Sequence, residues 1–280
     1  MSFSLKVVKS TSRFLGLVAP NVAARRLVSL FLTPASSGQR SSFDAALQGE
    51  TENIQFDDEW LPIFRFNSNN ATRGRVLLCH GWRGRGQQFS AFVKAFTKAG
   101  YEVITFDGPA HGESQRRKTN MVHFSEFLLA VDQHVGGFDA ALGHSFGASA
   151  LIYAMHRGLK LRQVVLIAPY DSVPVAFGQF SKILDVSPAQ QELALLELRT
   201  SFAEHLDAWD LAELVQGNRT HALLVHDEDD NQIPIKASQT LAKAWSAAEV
   251  YQTRGLGHNR VLSERTVVDR ATCFLLGKQR

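Results

Sequence analysis

From residue 76 onward the chain alternates short, nearly all-apolar runs with longer stretches that are apolar on one side only. Val76-Leu77-Leu78-Cys79 precedes a helically spaced stretch at 87–99, and a strand at 102–106 precedes a helix at 122–135. Ala140-Ala141-Leu142 leads into a further helix. Strands follow at 163–168, 222–225 and 249–252, before a closing helix that runs through Leu276. A strand that is apolar on both sides of its pleat must be covered on both faces, and strands joined through helices run parallel. The pattern predicts an α/β fold with a mostly parallel central sheet flanked by helices. Upstream, 52–56 and 60–66 read as an antiparallel pair turning at Asp57-Asp58-Glu59, with polar loops at 34–42 and 67–75.

One interval breaks the rhythm. Roughly fifty residues separate the strands ending near 168 and starting at 222, where a crossover needs about a dozen. The excess, 172–205, carries Phe177, Phe180, Leu184, Leu195, Leu198 and Phe202 at helical spacing and reads as a small helical cap over the carboxyl edge of the sheet. Its leucine stripe is packing; Tyr170, Phe177 and Phe180 are the candidates for a substrate wall. The expected organisation is an N-terminal helical extension packed on the core at 1–45, a core at 46–171 and 206–280, and the cap insertion at 172–205.

With 280 residues, 45% hydrophobic and 20% charged, the chain has the make-up of one large globular domain plus an insertion. The net charge of +3 arises from scattered lysines and arginines, not from a stripe interleaved with aromatics, which argues against a nucleic-acid partner. Cys79 and Cys273 lie far apart and the first closes a strand, so no disulfide is expected, and a reducing cytosol is the expected location. Lys6, Lys9 and Arg13 ahead of Phe14-Leu15-Gly16-Leu17-Val18-Ala19 imitate a secretion signal, but the apolar core is short and Pro20 ends it. The apolar stretch after Arg25-Arg26 is likewise far below the roughly 20 residues that span a bilayer. Residues 22–32 read as an amphipathic helix packed on the domain, with peripheral membrane contact as the weaker alternative and no stable insertion.

The chemistry centres on Gly143-His144-Ser145-Phe146-Gly147, set between a strand and the helix that begins Ala148-Ser149-Ala150. A serine in so sharp a turn needs neighbours without side chains, and the turn lifts its hydroxyl clear of the sheet. The Phe146 amide then starts a helix, where an unpaired N–H and the positive end of the dipole can receive an oxyanion. A serine hydroxyl needs a base, and of the ten histidines only His258, in Arg254-Gly255-Leu256-Gly257-His258, lies beyond the last strand. An acid should precede it at a strand end, where Asp227, Asp229 and Asp230 compete.

With these motifs in this order, the chain resembles the α/β-hydrolase fold family. In that family the strand before the acid commonly ends in H-G-x-x-D-x-x-[VI]-P; laid on His226 to Pro234, the resemblance implies that Asp230 is the acid and that Asp227 stands where glycine is usual. Asp229 and Asp171 are the other candidates. The resemblance extends to His80-Gly81-Trp82, implying that the Trp82 amide joins that of Phe146 in an oxyanion hole and that His80 holds the loop. It also extends to Asp107-Gly108-Pro109-Ala110-His111-Gly112-Glu113-Ser114, a scaffold loop in which Asp107 and His111 make turn hydrogen bonds.

The implied reaction is acyl transfer to water through an acyl-enzyme on Ser145. A carboxylic ester of a small, largely apolar substrate is the first expectation; thioesterase, lipase, lactonase, amidase and carbon–carbon hydrolase use the same triad. A serine at this turn argues against the dehalogenase and epoxide-hydrolase chemistry that the fold runs on aspartate. No metal-site or nucleotide-loop signature occurs, so no metal and no cofactor are expected. Arg83 and Arg85 flank the oxyanion loop and read as solvated side chains, with attraction of a carboxylate or phosphate as the alternative. A small-ligand receptor on the same scaffold is the non-enzymatic alternative, and the motifs do not specify oligomeric state.

Overall fold

The computed structural model describes residues 3–35, 38–47, 49–67 and 73–277, with the side chains of residues 3–7, 13, 201, 203, 204 and 206 left aside. Most of the expected loop at 67–75 therefore lies outside the described residues, as do two positions of the loop at 34–42.

Eight strands form one sheet: β1 (Gly49–Phe56), β2 (Glu59–Phe66), β3 (Arg75–Cys79), β4 (Glu102–Phe106), β5 (Ala140–His144), β6 (Gln163–Ile167), β7 (His221–Asp227) and β8 (Ala248–Thr253). Their order is β1-β2-β4-β3-β5-β6-β7-β8. β1 pairs antiparallel with β2, and β2 with β4; every later pairing is parallel. The mostly parallel sheet expected from the apolar runs is thus present. On β3, Val76 and Leu78 join one apolar core while Leu77 and Cys79 join the other, so the two-residue period of a strand feeds both covered faces.

The helices are α1 (Phe3–Val18), α2 (Pro20–Phe31), α3 (Ser90–Lys98), α4 (Met121–Val135), α5 (Phe146–His156), α6 (Val173–Leu184), α7 (Pro188–Ser201), α8 (Leu211–Leu214), α9 (Lys236–Ala244), α10 (Gly257–Arg260) and α11 (Arg265–Leu275). Two expected helices are divided. The stretch at 87–99 opens as a 3-10 turn, Gly86–Phe89, before α3, and the closing helix is split into α10 and α11. Among the described residues no helix is long and apolar enough to cross a membrane.

Pro20 begins α2, where its missing N–H costs nothing and its fixed φ suits the first turn. Ala23, Ala24, Leu27 and Val28 are buried on one side, and α2 lies against α7 while α1 lies against α2 and α6. Helical structure between β6 and β7 continues past 205, through a 3-10 segment at Ala203–Trp209 and α8.

The chain enters β3, steps outward to β4, then returns across β3 to β5. At such a reversal neighbouring loops diverge and leave a crevice beyond the carboxyl ends of the strands. The loop after β3 and the turn after β5 therefore meet, with Cys79 paired to Gly143.

Candidate active site

Ser145 sits between β5 and α5 at φ 54° and ψ −123°, a conformation rarely adopted by a residue with a side chain and held here by its surroundings. Its N–H donates to the Ile167 carbonyl at 2.8 Å, tying the turn to β6. The two flanking glycines are steric necessities. A Cβ on Gly147 would lie 2.3 Å from the His80 carbonyl oxygen, and one on Gly143 would lie 2.7 Å from the Ala148 Cα. Both collisions are with backbone, which cannot yield.

The loops after β7 and β8 bring the other two groups to this point. The Ser145 hydroxyl lies 3.1 Å from His258 Nε2, and His258 Nδ1 lies 2.7 Å from Asp230 Oδ2. Asp230 Oδ1 accepts from the Gln232 and Ile233 amides at 2.8 and 2.9 Å. Burial works to raise the Asp230 pKa, but the hydrogen bond and charge interaction with His258 and these two amides outweigh it and hold the carboxyl below its ordinary value. In this geometry Ser145 can donate to Nε2 while Nδ1–H donates to a carboxylate, the arrangement needed to pass a proton from hydroxyl to imidazole.

The competing acids lie elsewhere. Asp229 accepts from the Gly255 amide, and the Asp171 carboxyl faces the Ser172 hydroxyl while its carbonyl accepts from Leu211. Asp227 has a part that its position in the motif did not disclose. Its buried carboxylate accepts from the Gly257 and Asp229 amides through Oδ1, and from the Thr253 hydroxyl and Leu256 amide through Oδ2, all within 2.8–3.1 Å. These donors overcome desolvation and keep its pKa lowered. Asp227 thus clamps the segment that carries His258.

His144, buried next to the serine, was also missed by sequence reasoning. Its Nε2–H donates to the His258 carbonyl at 2.9 Å, and the two rings lie 4.7 Å apart. Burial and the neighbouring His258 push its pKa down to about 3, so it is a neutral brace. His80 also braces: Nδ1–H donates to the Gly81 carbonyl and Nε2 accepts from the Gly108 amide. His111 stays within its turn, donating to the Pro109 carbonyl, but Asp107 reaches further, accepting from the Gly86 amide and from both the amide and hydroxyl of Ser41.

Trp82 and Phe146 line the same cavity as Ser145, and among the described residues neither backbone amide donates to a protein acceptor. Their rings pack edge to face at 4.8 Å. Gly81 allows this approach, since a Cβ there would come within 3.1 Å of the Ser145 Cβ.

Ser145, His258, Trp82 and Phe146 open into a cavity of about 740 Å³, walled by Leu30, Phe31, Tyr170, Phe180, Ile183 and Leu184 among others. Burial and the nearby Asp230 charge push the Tyr170 phenol up to about 12, partly offset by hydrogen bonding to Ser145. Phe177 does not line the cavity. It is wholly buried behind Phe180 and Phe31, at centroid distances of 5.9 and 5.1 Å, off the stripe of α6 that lines the cavity through Val173, Ala176, Phe180 and Ile183. The exposed Arg83 does line the cavity, while Arg85 is tied to the Gln39 and Arg40 carbonyls.

Residues 76–270 match the family model described as the alpha/beta hydrolase family. A 103-residue stretch is 32% identical to an uncharacterized 31.7 kDa protein of the traX-finO intergenic region of Escherichia coli, covering 31% of this chain and 36% of that one. The chain thus matches little more than a third of that relative's length. Among solved structures, the Pyrococcus furiosus esterase Pf2001 superposes with a TM-score of 0.66 at 15% identity, over 86% of this chain and 98% of that one. Est1E of Butyrivibrio proteoclasticus, solved with ferulic acid bound, gives 0.63 at 16% identity, over 81% and 98%.

Proposed function

Because this chain belongs to the alpha/beta hydrolase family, we propose that it is a serine hydrolase that cleaves a carboxylic ester of a small, largely apolar substrate. His258 Nε2 takes the Ser145 proton as Oγ attacks the ester carbonyl. The Trp82 and Phe146 amides receive the oxyanion. His258 returns the proton to the departing alkoxide, leaving an acyl-enzyme, and then draws a proton from the water that attacks it. Asp230 holds the imidazole tautomer and stabilises the imidazolium. Residues 172–205 act as the cap that closes the acyl site, and the free thiols of Cys79 and Cys273 suit a reducing compartment.

The observation that carries this reading is the unbroken chain from the Ser145 hydroxyl through His258 to Asp230 at the floor of an apolar cavity. The esterase structures named above lend it support through the fold alone. The test is hydrolysis of p-nitrophenyl esters of graded chain length, run beside Ser145→Ala and labelling with a fluorophosphonate probe. Turnover and labelling are expected from the native protein, with both abolished by the substitution. A folded protein that is neither labelled nor active would indicate a small-ligand receptor instead.

A further inference from the structure

The outward side of the first two helices has no role in the proposed chemistry. Phe14, Leu17 and Val18 are 64%, 86% and 61% exposed, and Val22, in the first turn of α2, is 48% exposed. The i, i+3, i+4 spacing puts the first three on one face of α1, and only Ala19 separates that helix from α2, which packs against it and carries Val22 in its first turn. A soluble surface usually shows such side chains singly. Here four of the seven large apolar side chains exposed among the described residues are gathered at one corner.

The charge around this corner is equally uneven. Residues 1–35 contain Lys6, Lys9, Arg13, Arg25 and Arg26 and no carboxylate, within a chain of net charge +3, so the remainder is net negative. Arg25 and Arg26, one turn beyond Val22, are exposed and form no ion pair among the described residues. An apolar corner flanked by free cations is complementary to a membrane surface bearing anionic headgroups. It does not suit a second copy, which would set like charges face to face. The same α2 reaches the cavity through Leu30 and Phe31, and Ile183, 53% exposed, lies both on the surface and on the cavity wall.

We propose that the α1–α2 corner docks this protein onto an anionic lipid surface, with Phe14, Leu17, Val18 and Val22 entering the headgroup boundary and Arg25 and Arg26 meeting the phosphates. Docking stands independently of the hydrolase reading; its consequence, that the cavity mouth faces the bilayer and takes a lipid-borne ester, rests on that reading.

The test is co-sedimentation of the full chain with vesicles of phosphatidylcholine alone and of phosphatidylcholine mixed with phosphatidylglycerol. Binding is expected only to the mixed vesicles and should weaken as salt is added. Leu17→Glu with Val18→Glu should lower the bound fraction at least about tenfold, and Arg25→Gln with Arg26→Gln several-fold. Both double variants should keep the native circular dichroism spectrum and turn over p-nitrophenyl butyrate normally in vesicle-free buffer. Native protein that ignores the mixed vesicles, or folded variants that still bind them, would overturn the proposal. So would sedimentation equilibrium showing a vesicle-free dimer that Leu17→Glu with Val18→Glu dissociates. Vesicle binding without ester turnover would instead reject the hydrolase reading and leave docking intact.

Discussion

At Asp227 one carboxylate collects four donors, three of them from the segment that ends in His258 and the fourth the amide of Asp229. An asparagine there would turn an N–H toward donors that need an acceptor, and the loop would shift. Asp227→Asn is expected to lower kcat about 100-fold with KM nearly unchanged, since a displacement of around an ångström has that cost in a positioned base. Asp230→Asn should be more severe, about 10⁴-fold, because it also removes the partner of Nδ1. Asp229→Asn and Asp171→Asn should leave kcat within about tenfold; steady-state rates on one ester decide the order, and a larger loss at Asp229 or Asp171 would overturn the assignment. The resemblance of residues 226–234 to the family's pattern implied Asp230, but three of the four donors that Asp227 serves come from a loop some thirty residues later. No local pattern shows such a pairing.

The α6–α7 segment illustrates which properties of an element are local. Helical spacing marked it out, Ser172 and Ser187 cap its two helices by accepting from Val175 and Gln190, and Pro174 and Pro188 fall within their first turns. Which side of α6 meets the cavity was not local. Phe177 and Phe180 share a turn and a chemistry, and both meet Phe31 of α2, yet only Phe180 lies on the stripe of α6, with Val173, Ala176 and Ile183, that lines the cavity. Phe180→Ala is therefore expected to widen the acyl site and raise kcat/KM for octanoate relative to butyrate esters. Phe177→Ala should cost about 3–5 kcal/mol of stability and leave that ratio alone. Chain-length profiles read beside denaturant melts separate the two outcomes, and a shifted ratio in Phe177→Ala would contradict the placement.

Across the whole molecule, several histidines are buried around the site in neutral form. Burial is the main cause that lowers His80 to about 4, and His111 and His144 to about 3. An unfolded chain titrates these rings near 6.5. Below that value it binds protons that the folded state refuses, so stability present above pH 6.5 is lost as pH falls toward the folded values, by about 1.4 kcal/mol per pH unit for each ring. The lowered carboxyls of Asp227 and Asp230 add to the loss only further down, below their ordinary range. The thermal midpoint should fall steadily from pH 7 to pH 5. His111→Phe should flatten that fall, since the buried His111 Nε2 has no hydrogen-bond partner among the described residues; an unchanged slope would count against it. The alternation of apolar runs and the glycines around Ser145 are properties of neighbours along the chain and determined the α/β architecture and the candidate serine, while the order of serine, acid and histidine implied the other groups through the family resemblance. Which face of α6 lines the cavity, which carboxylate holds the histidine loop and which corner of the surface stays apolar depended on segments far apart in sequence, because burial and hydrogen bonding act between whatever the completed fold brings together.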